Sequence, residues 1–315
     1  MIDRSMRATD RAYLCLGIGW RTGVPSLDVV DVALVQAEHI PLMQGFLGFR
    51  ATSSRYYCTG RYGFFLETDT MLVPCPSNAV AVKSGQCVDC ATRDELRFAH
   101  HYHTGGRVSM ALAHYMSQPH WVYIATFADG SSKVGTATDV RKRSRLDEQG
   151  AVIASYIART ADGKLARYVE DSVTIKLGIT QRKTRSAKLA ALARPLSQSA
   201  IESAHSAVLD RVAPLVGSYA QESSSITALR DPWLPTPGVK AIITNPPAGG
   251  WPVYPHDLST SEHGLSVLAC CGQAALVQAK SSDEPYLVDL GKLRGIRFTF
   301  GEFSSPSTAV QSTLF

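Results

Sequence analysis

The 315-residue sequence lacks several features that would assign it to a special class of protein. No apolar run approaches the roughly 18–20 residues that a membrane-spanning helix requires. The first twenty residues carry charges but no long apolar segment before a small-residue cleavage site, so we expect no secretory signal. There is no internal repeat and no low-complexity tail. We therefore expect a cytoplasmic protein with no membrane partner.

Strong net charge is also absent, because 32 basic residues face 27 acidic ones. A surplus of this size says little about partners. Its distribution says more, since basic residues concentrate in segments 133–145 and 176–194, and the second segment contains no acidic residue. Two readings stay open: a phosphate-facing surface that binds nucleic acid, or a pair of solvated helix faces.

The seven cysteines are an odd number in a chain expected to be cytoplasmic, which argues against a disulfide framework. A Cys-x-x-Cys pair in a turn places two thiolates on one metal ion, and zinc takes four such ligands tetrahedrally. Buried free cysteines and a redox pair are the alternatives. A histidine among residues 100–103 is an alternative fourth ligand. The predicted structural zinc ligands are Cys58, Cys75, Cys87 and Cys90.

The overall pattern predicts an α+β fold with three units, at residues 1–118, 119–220 and 228–315. The first unit has short apolar runs between glycine and proline turns, which indicates a β-rich, zinc-binding unit. The second has the order strand-strand-helix-strand-helix-helix, which predicts a small antiparallel sheet flanked by helices. The third has short runs at roughly 8–12-residue spacing, which is typical of an all-β unit. We expect a serine-rich linker at 217–227 and a strand at VKAIIT, residues 239–244.

Most of the chemically suggestive residues lie in or beside segment 120–151. Two strands, at 121–127 and 132–136, carry Tyr123 and Lys133, and a basic helix that starts near residue 138 ends at Gly150. That helix would direct an arginine cluster toward the two strands. A later amphipathic helix, at 164–176, carries Glu170. The arginines of the cluster are Arg141, Arg143 and Arg145.

The order VYIA, KVG, RKRSR and then Glu170 resembles the GIY-YIG endonuclease domain. The resemblance implies a site with a tyrosine on each of two strands, an arginine on the next helix and a glutamate on a later one. It implies that Glu170 binds a single catalytic Mg or Mn ion, that the arginine supports the scissile phosphate, and that Tyr123 helps to activate water. Arg143 stands eight residues after Gly135, at the spacing usual for that arginine.

This sequence departs from the GIY-YIG pattern at Lys133, which stands where the second motif has tyrosine, and the first motif is VYI. A lysine there could hold a phosphate as a point charge, serve as a base if its pKa is low, or mark the loss of cleavage. A single carboxylate suffices for a one-metal phosphodiesterase site, since metal and arginine together offset the developing charge.

A closer resemblance covers a larger part of the chain. It is to an uncharacterised bacterial family that has a thiol-rich N-terminal region followed by a GIY-YIG-like core. The resemblance implies that Arg145 is the site arginine, and it does not extend to the C-terminal strands. The matching pieces are CTG at 58–60, GQCVDC at 85–90, HWVYIA at 120–125, SKVG at 132–135 and SRLDEQGA at 144–151.

Residues 245–265 form a long loop rich in glycine, proline and polar side chains. Long loops in compact domains are often functional, so Trp251, His256 and His263 are candidates to stack on a base or line a small-molecule pocket. The alternative is a loop packed by its own aromatic side chains.

Three functions follow from these patterns and stay open at the level of sequence. The first is a metal-dependent phosphodiesterase or nuclease acting on DNA or RNA, with Tyr123, Lys133, Arg143, Arg145 and Glu170 in the site and Arg141 binding substrate. The second is a zinc protein that binds nucleic acid without cutting it. The third is a GIY-YIG scaffold that acts on a small molecule.

Overall fold

The fold is mixed α+β, with antiparallel sheets and, among the described residues, seven α-helices. The structure is a computed structural model that describes residues 11–43, 45–65, 69–82, 85–105, 108–280, 282 and 284–306. The strands are β1 (Ala12–Arg21), β2 (Val24–Asp31), β3 (Gln36–Pro41), β4 (Phe46–Ala51), β5 (Arg61–Phe65), β6 (Asp69–Val73), β7 (His120–Thr126), β8 (Ser132–Thr138), β9 (Ile153–Thr160), β10 (Ile226–Trp233), β11 (Glu262–Cys271), β12 (Ala274–Ala279), β13 (Pro285–Asp289) and β14 (Arg297–Phe300). The helices are α1 (Val88–Arg93), α2 (Met110–Ser117), α3 (Lys142–Gln149), α4 (Gly163–Leu177), α5 (Arg185–Ala193), α6 (Gln198–Glu222) and α7 (Pro237–Thr244), with 3₁₀ segments at Glu95–Thr104 and Leu290–Leu293.

The larger sheet has eight antiparallel strands, in the order β13-β12-β11-β4-β14-β1-β2-β3. Strands from both ends of the chain alternate in it: β14 lies between β1 and β4, and β4 pairs with β11. The predicted first and third units are therefore joined in one sheet around a shared core. A strand pattern shows which face is buried but not which distant strand completes the hydrogen bonds of an edge.

The smaller sheet has four antiparallel strands, in the order β10-β9-β7-β8. One face packs on α4 and α6 through apolar side chains that include Val122, Val169 and Val212. The other face packs on α3, where Leu146 joins Tyr123 and Tyr156. Helix α3 thus lies on the same face of the sheet as Tyr123.

Two elements differ from the sequence prediction. The predicted linker at 217–227 instead continues α6 and begins β10, because Tyr219 and Ile226 are buried in the core of the smaller sheet. The predicted strand at 239–244 is helix α7. Pro237 stands in its first turn, and Val239 and Ile242, three residues apart, bury one face.

Helix α3 begins at Lys142, a few residues later than predicted, because β8 continues to Thr138. It ends as predicted at Gly150, which has the left-handed φ of 66° that favours glycine. A Cβ on Gly150 would lie 3.3 Å from the Cα of Gly272, in the turn between β11 and β12. This close approach brings the end of α3 against the larger sheet.

We find no helix in the described part of the chain that combines the length and apolarity needed to cross a membrane.

Candidate functional site

The four cysteines that the spacing singled out come together in the structure. Their Sγ atoms all lie within 4.8 Å of one another, and those of Cys75 and Cys87 are 3.9 Å apart. Four thiolates around one zinc ion, with Zn–S bonds of about 2.3 Å, have sulfur atoms about 3.8 Å apart. All four side chains are buried. The cluster can therefore hold a metal ion such as zinc.

Hydrogen bonds around the cluster favour thiolate ligands, which a metal ion requires. The Gly60 amide donates to Cys58 Sγ over 3.3 Å. Burial raises the pKa of the Cys75 thiol, but hydrogen bonds from the Ser77 hydroxyl and from the amides of Ser77 and Ala79 together lower it to about 6. Burial and the neighbouring thiols raise the pKa of Cys90. A cation among the sulfurs would stabilise all four thiolates at once.

Histidine was the alternative source of the fourth ligand. His103 is engaged elsewhere, with Nε2 at 2.7 Å from Asp171 Oδ2 on α4. The side chains of His100 and His101 lie outside the described residues. Because Cys58 completes the cluster, no histidine is needed.

A cleft of about 590 Å³ lies between α3, the β1–β2 hairpin and the β5–β6 hairpin. Three carboxylates line the cleft, those of Asp28, Asp69 and Glu148. The lining is nevertheless rich in guanidinium groups, which suit phosphate or carboxylate ligands. The arginines that line the cleft are Arg21, Arg141, Arg143, Arg145 and Arg294.

Arg141, at the N-cap of α3, and the two arginines within the helix differ in how far their charges are already neutralised. Arg141 donates to both oxygens of Glu148, over 2.5 and 2.7 Å. Arg145 reaches the same carboxylate only at 3.9 Å, and Arg143 Nε lies 3.8 Å from Asp147. Arg143 and Arg145 are therefore the two arginines of α3 best able to bind an added anion.

Tyr123 and Lys133 lie on one face of the smaller sheet, next to α3. The register pairs Tyr123 with Gly135 and Ala125 with Lys133, so side chains two residues apart point the same way. A Cβ on Gly135 would lie 2.4 Å from Tyr123 Oη, so only glycine leaves room for this ring. The hydroxyl is buried and has no hydrogen-bond partner within the described part of the chain. Burial raises its pKa, which the charge of Arg145 opposes.

Lys133 is buried to an unusual degree for a lysine, with 6% of its surface exposed. It has no hydrogen bond or ion pair with any described residue. Burial and the charges of Arg145 and Lys188 lower its pKa to about 7, while Glu170 acts in the opposite direction. Lys133 therefore changes charge near neutral pH.

Glu170 lies on α4, buried, and accepts a hydrogen bond from Arg167 over 2.5 Å. Its charge acts on both Tyr123 and Lys133, as does the charge of Arg145. These four predicted residues therefore lie close enough for the charges of Arg145 and Glu170 to act on Tyr123 and Lys133. Arg143 lines the cleft beside them and is half exposed.

A family model described as "Protein of unknown function (DUF2797)" matches residues 75–237, more than half of the chain. The chain belongs to this family. The match includes the smaller sheet and three of the four clustered cysteines, but not Cys58 or the larger sheet. No curated protein and no solved structure matches the chain.

The predicted residues of the 245–265 loop are not among the residues that line the cleft. Trp251 Nε1 donates to Ile242 O over 2.8 Å, and His263 Nδ1 lies 2.9 Å from Tyr254 Oη. Burial lowers the pKa of His263. His256 Nε2 is buried and meets no hydrogen-bond partner among the residues that the structure describes. The loop is packed by its own aromatic side chains, which was the alternative reading.

Sequence reasoning missed two charged residues that act on Lys133, namely Arg167 and Lys188. Arg167 stands three residues before Glu170, a spacing at which helix side chains pair. Lys188 stands three and four residues before the buried Ala191 and Leu192, so it shares the inward face of α5. A basic residue on an apolar helix face was the signal that could have found it.

Proposed function

We propose that the protein is a GIY-YIG-like phosphodiesterase that acts on DNA or RNA. The observation that carries the proposal is the meeting of Tyr123, Lys133, Arg145 and Glu170, from two strands and two helices, beside the arginine-rich cleft. These are four positions that the resemblance assigns to one site. A surplus of positive charge around them suits a phosphodiester.

Lys133 is the general base in this proposal. An effective base has a pKa near the working pH, and that of Lys133 is lowered to about 7. The neutral amine takes a proton from water as the water oxygen attacks phosphorus and the P–O bond to the leaving group breaks. Arg143 and Arg145 stabilise the negative charge that develops on the phosphate oxygens. The free hydroxyl of Tyr123 donates to the attacking water and orients it.

A catalytic Mg or Mn ion at Glu170, which the resemblance implies, does not fit these surroundings. The Glu170 carboxylate is already paired with Arg167, and the positive charges of Arg145 and Lys133 lie close by and would repel a metal cation. The cysteine cluster is the only group of three or more potential metal-binding side chains among the described residues. We therefore assign no step to a divalent ion and give Glu170 the role of holding Arg167 and offsetting the local positive charge.

The test is cleavage of a mixed DNA and RNA panel by wild type, Lys133→Met and Glu170→Gln, with and without added magnesium. Loss of a general base costs about 10²–10⁴-fold in rate, so Lys133→Met should cut at least about 100-fold more slowly. Lys164→Met is the matched control, because Lys164 is an exposed lysine on α4, six residues before Glu170. If wild type cuts no faster than Lys133→Met, the proposal fails. Salt-sensitive binding without cleavage would then favour a nucleic-acid-binding protein.

The size of the cleft favours a second candidate, an enzyme that acts on a small phosphate ester. Small-molecule pockets measure roughly 300–1,000 Å³, and this cleft falls in that range. The carboxylates of Asp28 and Asp69 on its far wall would also repel an extended polyanion. A mononucleotide that binds as tightly as an oligonucleotide would favour this candidate.

A further inference from the structure

Lys188 occupies an unusual position beside the cleft, next to Gln149, which lines it. Its Nζ donates to the Gln149 carbonyl over 2.8 Å, and no carboxylate of the described residues lies within ion-pair distance of it. It lines a smaller cavity of about 100 Å³. That cavity and the arginine-rich cleft share Glu148, Gln149 and Gln273 in their linings. The two spaces therefore adjoin, and Lys188 stands where they meet.

Positive charge in this region exceeds the negative charge available to neutralise it. The charge of Arg145 acts on both Lys133 and Lys188, and the charge of Lys188 acts on Lys133. Two acids of this region already have cationic partners, since Glu170 pairs with Arg167 and Glu148 pairs with Arg141. A buried cation without a counter-ion is costly. An added anion would offset that cost.

A neighbouring lysine shows what the same surroundings look like when an anion is present. Lys183 and Lys188 lie over the same Phe127 ring, with Nζ at 5.0 and 5.2 Å from its centroid. Lys183 is ion-paired with Asp129, whereas Lys188 has only carbonyl and amide oxygens of Gln149. Lys133, more than nine-tenths buried, has no hydrogen-bond or ion-pair partner among the described residues. Within that part of the chain, Lys188 and Lys133 therefore lack the carboxylate partner that Lys183 has.

We propose that Lys188 and Arg145 form a binding site for a tetrahedral oxyanion, the phosphate group of the substrate, at this junction. Arg145 offers a planar pair of donors to two oxygens, and Lys188 offers a point charge to a third. The charges of both residues also act on Lys133. The identity of the anion as a substrate phosphate rests on the proposed function, but oxyanion binding can be measured without catalysis.

The experiment is calorimetric titration of inorganic phosphate at pH 7 and constant ionic strength. Wild type should bind phosphate, and Lys188→Met should weaken binding at least about tenfold, the effect of losing a charged hydrogen bond. Lys183→Met is the matched control and should change affinity less than about twofold. Lys188→Arg should restore most of the binding. Lys188→Gln replaces Lys188→Met if the latter does not fold.

Two results would overturn this inference: wild type that binds no phosphate, or binding that Lys188→Met and Lys183→Met weaken equally. The proposed function is tested separately. Phosphate binding that depends on Lys188, without cleavage of any nucleic acid, would leave the oxyanion site standing and sink the phosphodiesterase. Cleavage by Lys188→Met with an unchanged KM would instead overturn the oxyanion site and leave the phosphodiesterase standing.

Discussion

The cysteine cluster and the Lys133 region are two sites of opposite character in one chain. In the first, four thiols lie within 4.8 Å of one another and need a cation to hold them together as thiolates. In the second, lysine and arginine side chains converge with too few carboxylates and need an anion. In each region, the charges left without partners indicate the kind of ion that the site would bind.

The two regions also meet physically. Arg294, which lines the cleft, donates to Thr59 Oγ1 over 3.1 Å, next to Cys58. Residues of β5 and β6, between Cys58 and Cys75, form part of the cleft wall. The cysteine cluster thus supports one side of the cleft that the anion would enter.

The largest expected effect is loss of the metal. Cys87→Ser combined with Cys90→Ser removes two of four ligands, so zinc should fall from about one ion per chain to none by elemental analysis. The free energy of unfolding should fall by about 4–5 kcal/mol or more, as is typical when a structural metal is lost. Cys270→Ala, in the core of the larger sheet, should keep its zinc. Full zinc retention in the double variant would contradict the tetrathiolate assignment.

A smaller effect is expected from filling the space above Tyr123. In Gly135→Ala the new Cβ would lie 2.4 Å from Tyr123 Oη, so the ring must move. Overpacking of this kind costs about 1–3 kcal/mol, and cleavage should be lost with the displaced hydroxyl. Thermal unfolding and the cleavage assay measure the two effects. Gly217→Ala is the control, because its Cβ meets nothing within 4 Å. Full activity in Gly135→Ala would show that the position of Tyr123 does not matter.

The smallest expected effect is on the pH dependence of cleavage, which should distinguish the roles of Lys133 and Lys188. Burial lowers the pKa of Lys133 to about 7 and that of Lys188 to about 8. As pH rises through 7, Lys133 loses its proton and becomes a base; as it rises through 8, Lys188 loses the charge that holds phosphate. The value of kcat/KM, which reports on the free enzyme, should therefore peak between about 7 and 8. In Lys188→Arg the alkaline decline should move to higher pH. A profile flat from pH 6 to 9 would rule out both roles.

Local features of the sequence predicted much of this arrangement. The cysteine spacing indicated the cluster, and the strand pattern placed Tyr123 and Lys133 on one face. These are properties of short segments, in which side-chain period and turn residues decide the outcome. The end of helix α3 at Gly150 is likewise decided by residues close to it in sequence.

The remaining features depend on contacts between distant segments. Nothing near β1 shows that β14 is its partner, and the charge of Lys188 on α5 acts on Lys133 from about 55 residues later in the chain. The segment at 239–244 reads as a strand because its residues favour strands, yet packing of Val239 and Ile242 makes it a helix. The loop aromatics were attractive as ligand contacts because their packing partners were unknown.

The most direct test is a crystal structure of the protein soaked with tungstate, a heavy analogue of phosphate. We expect an anomalous peak at the junction of the two cavities, within hydrogen-bond distance of Arg145 and Lys188. A structure with this junction open to solvent and tungstate bound only elsewhere would contradict the oxyanion site.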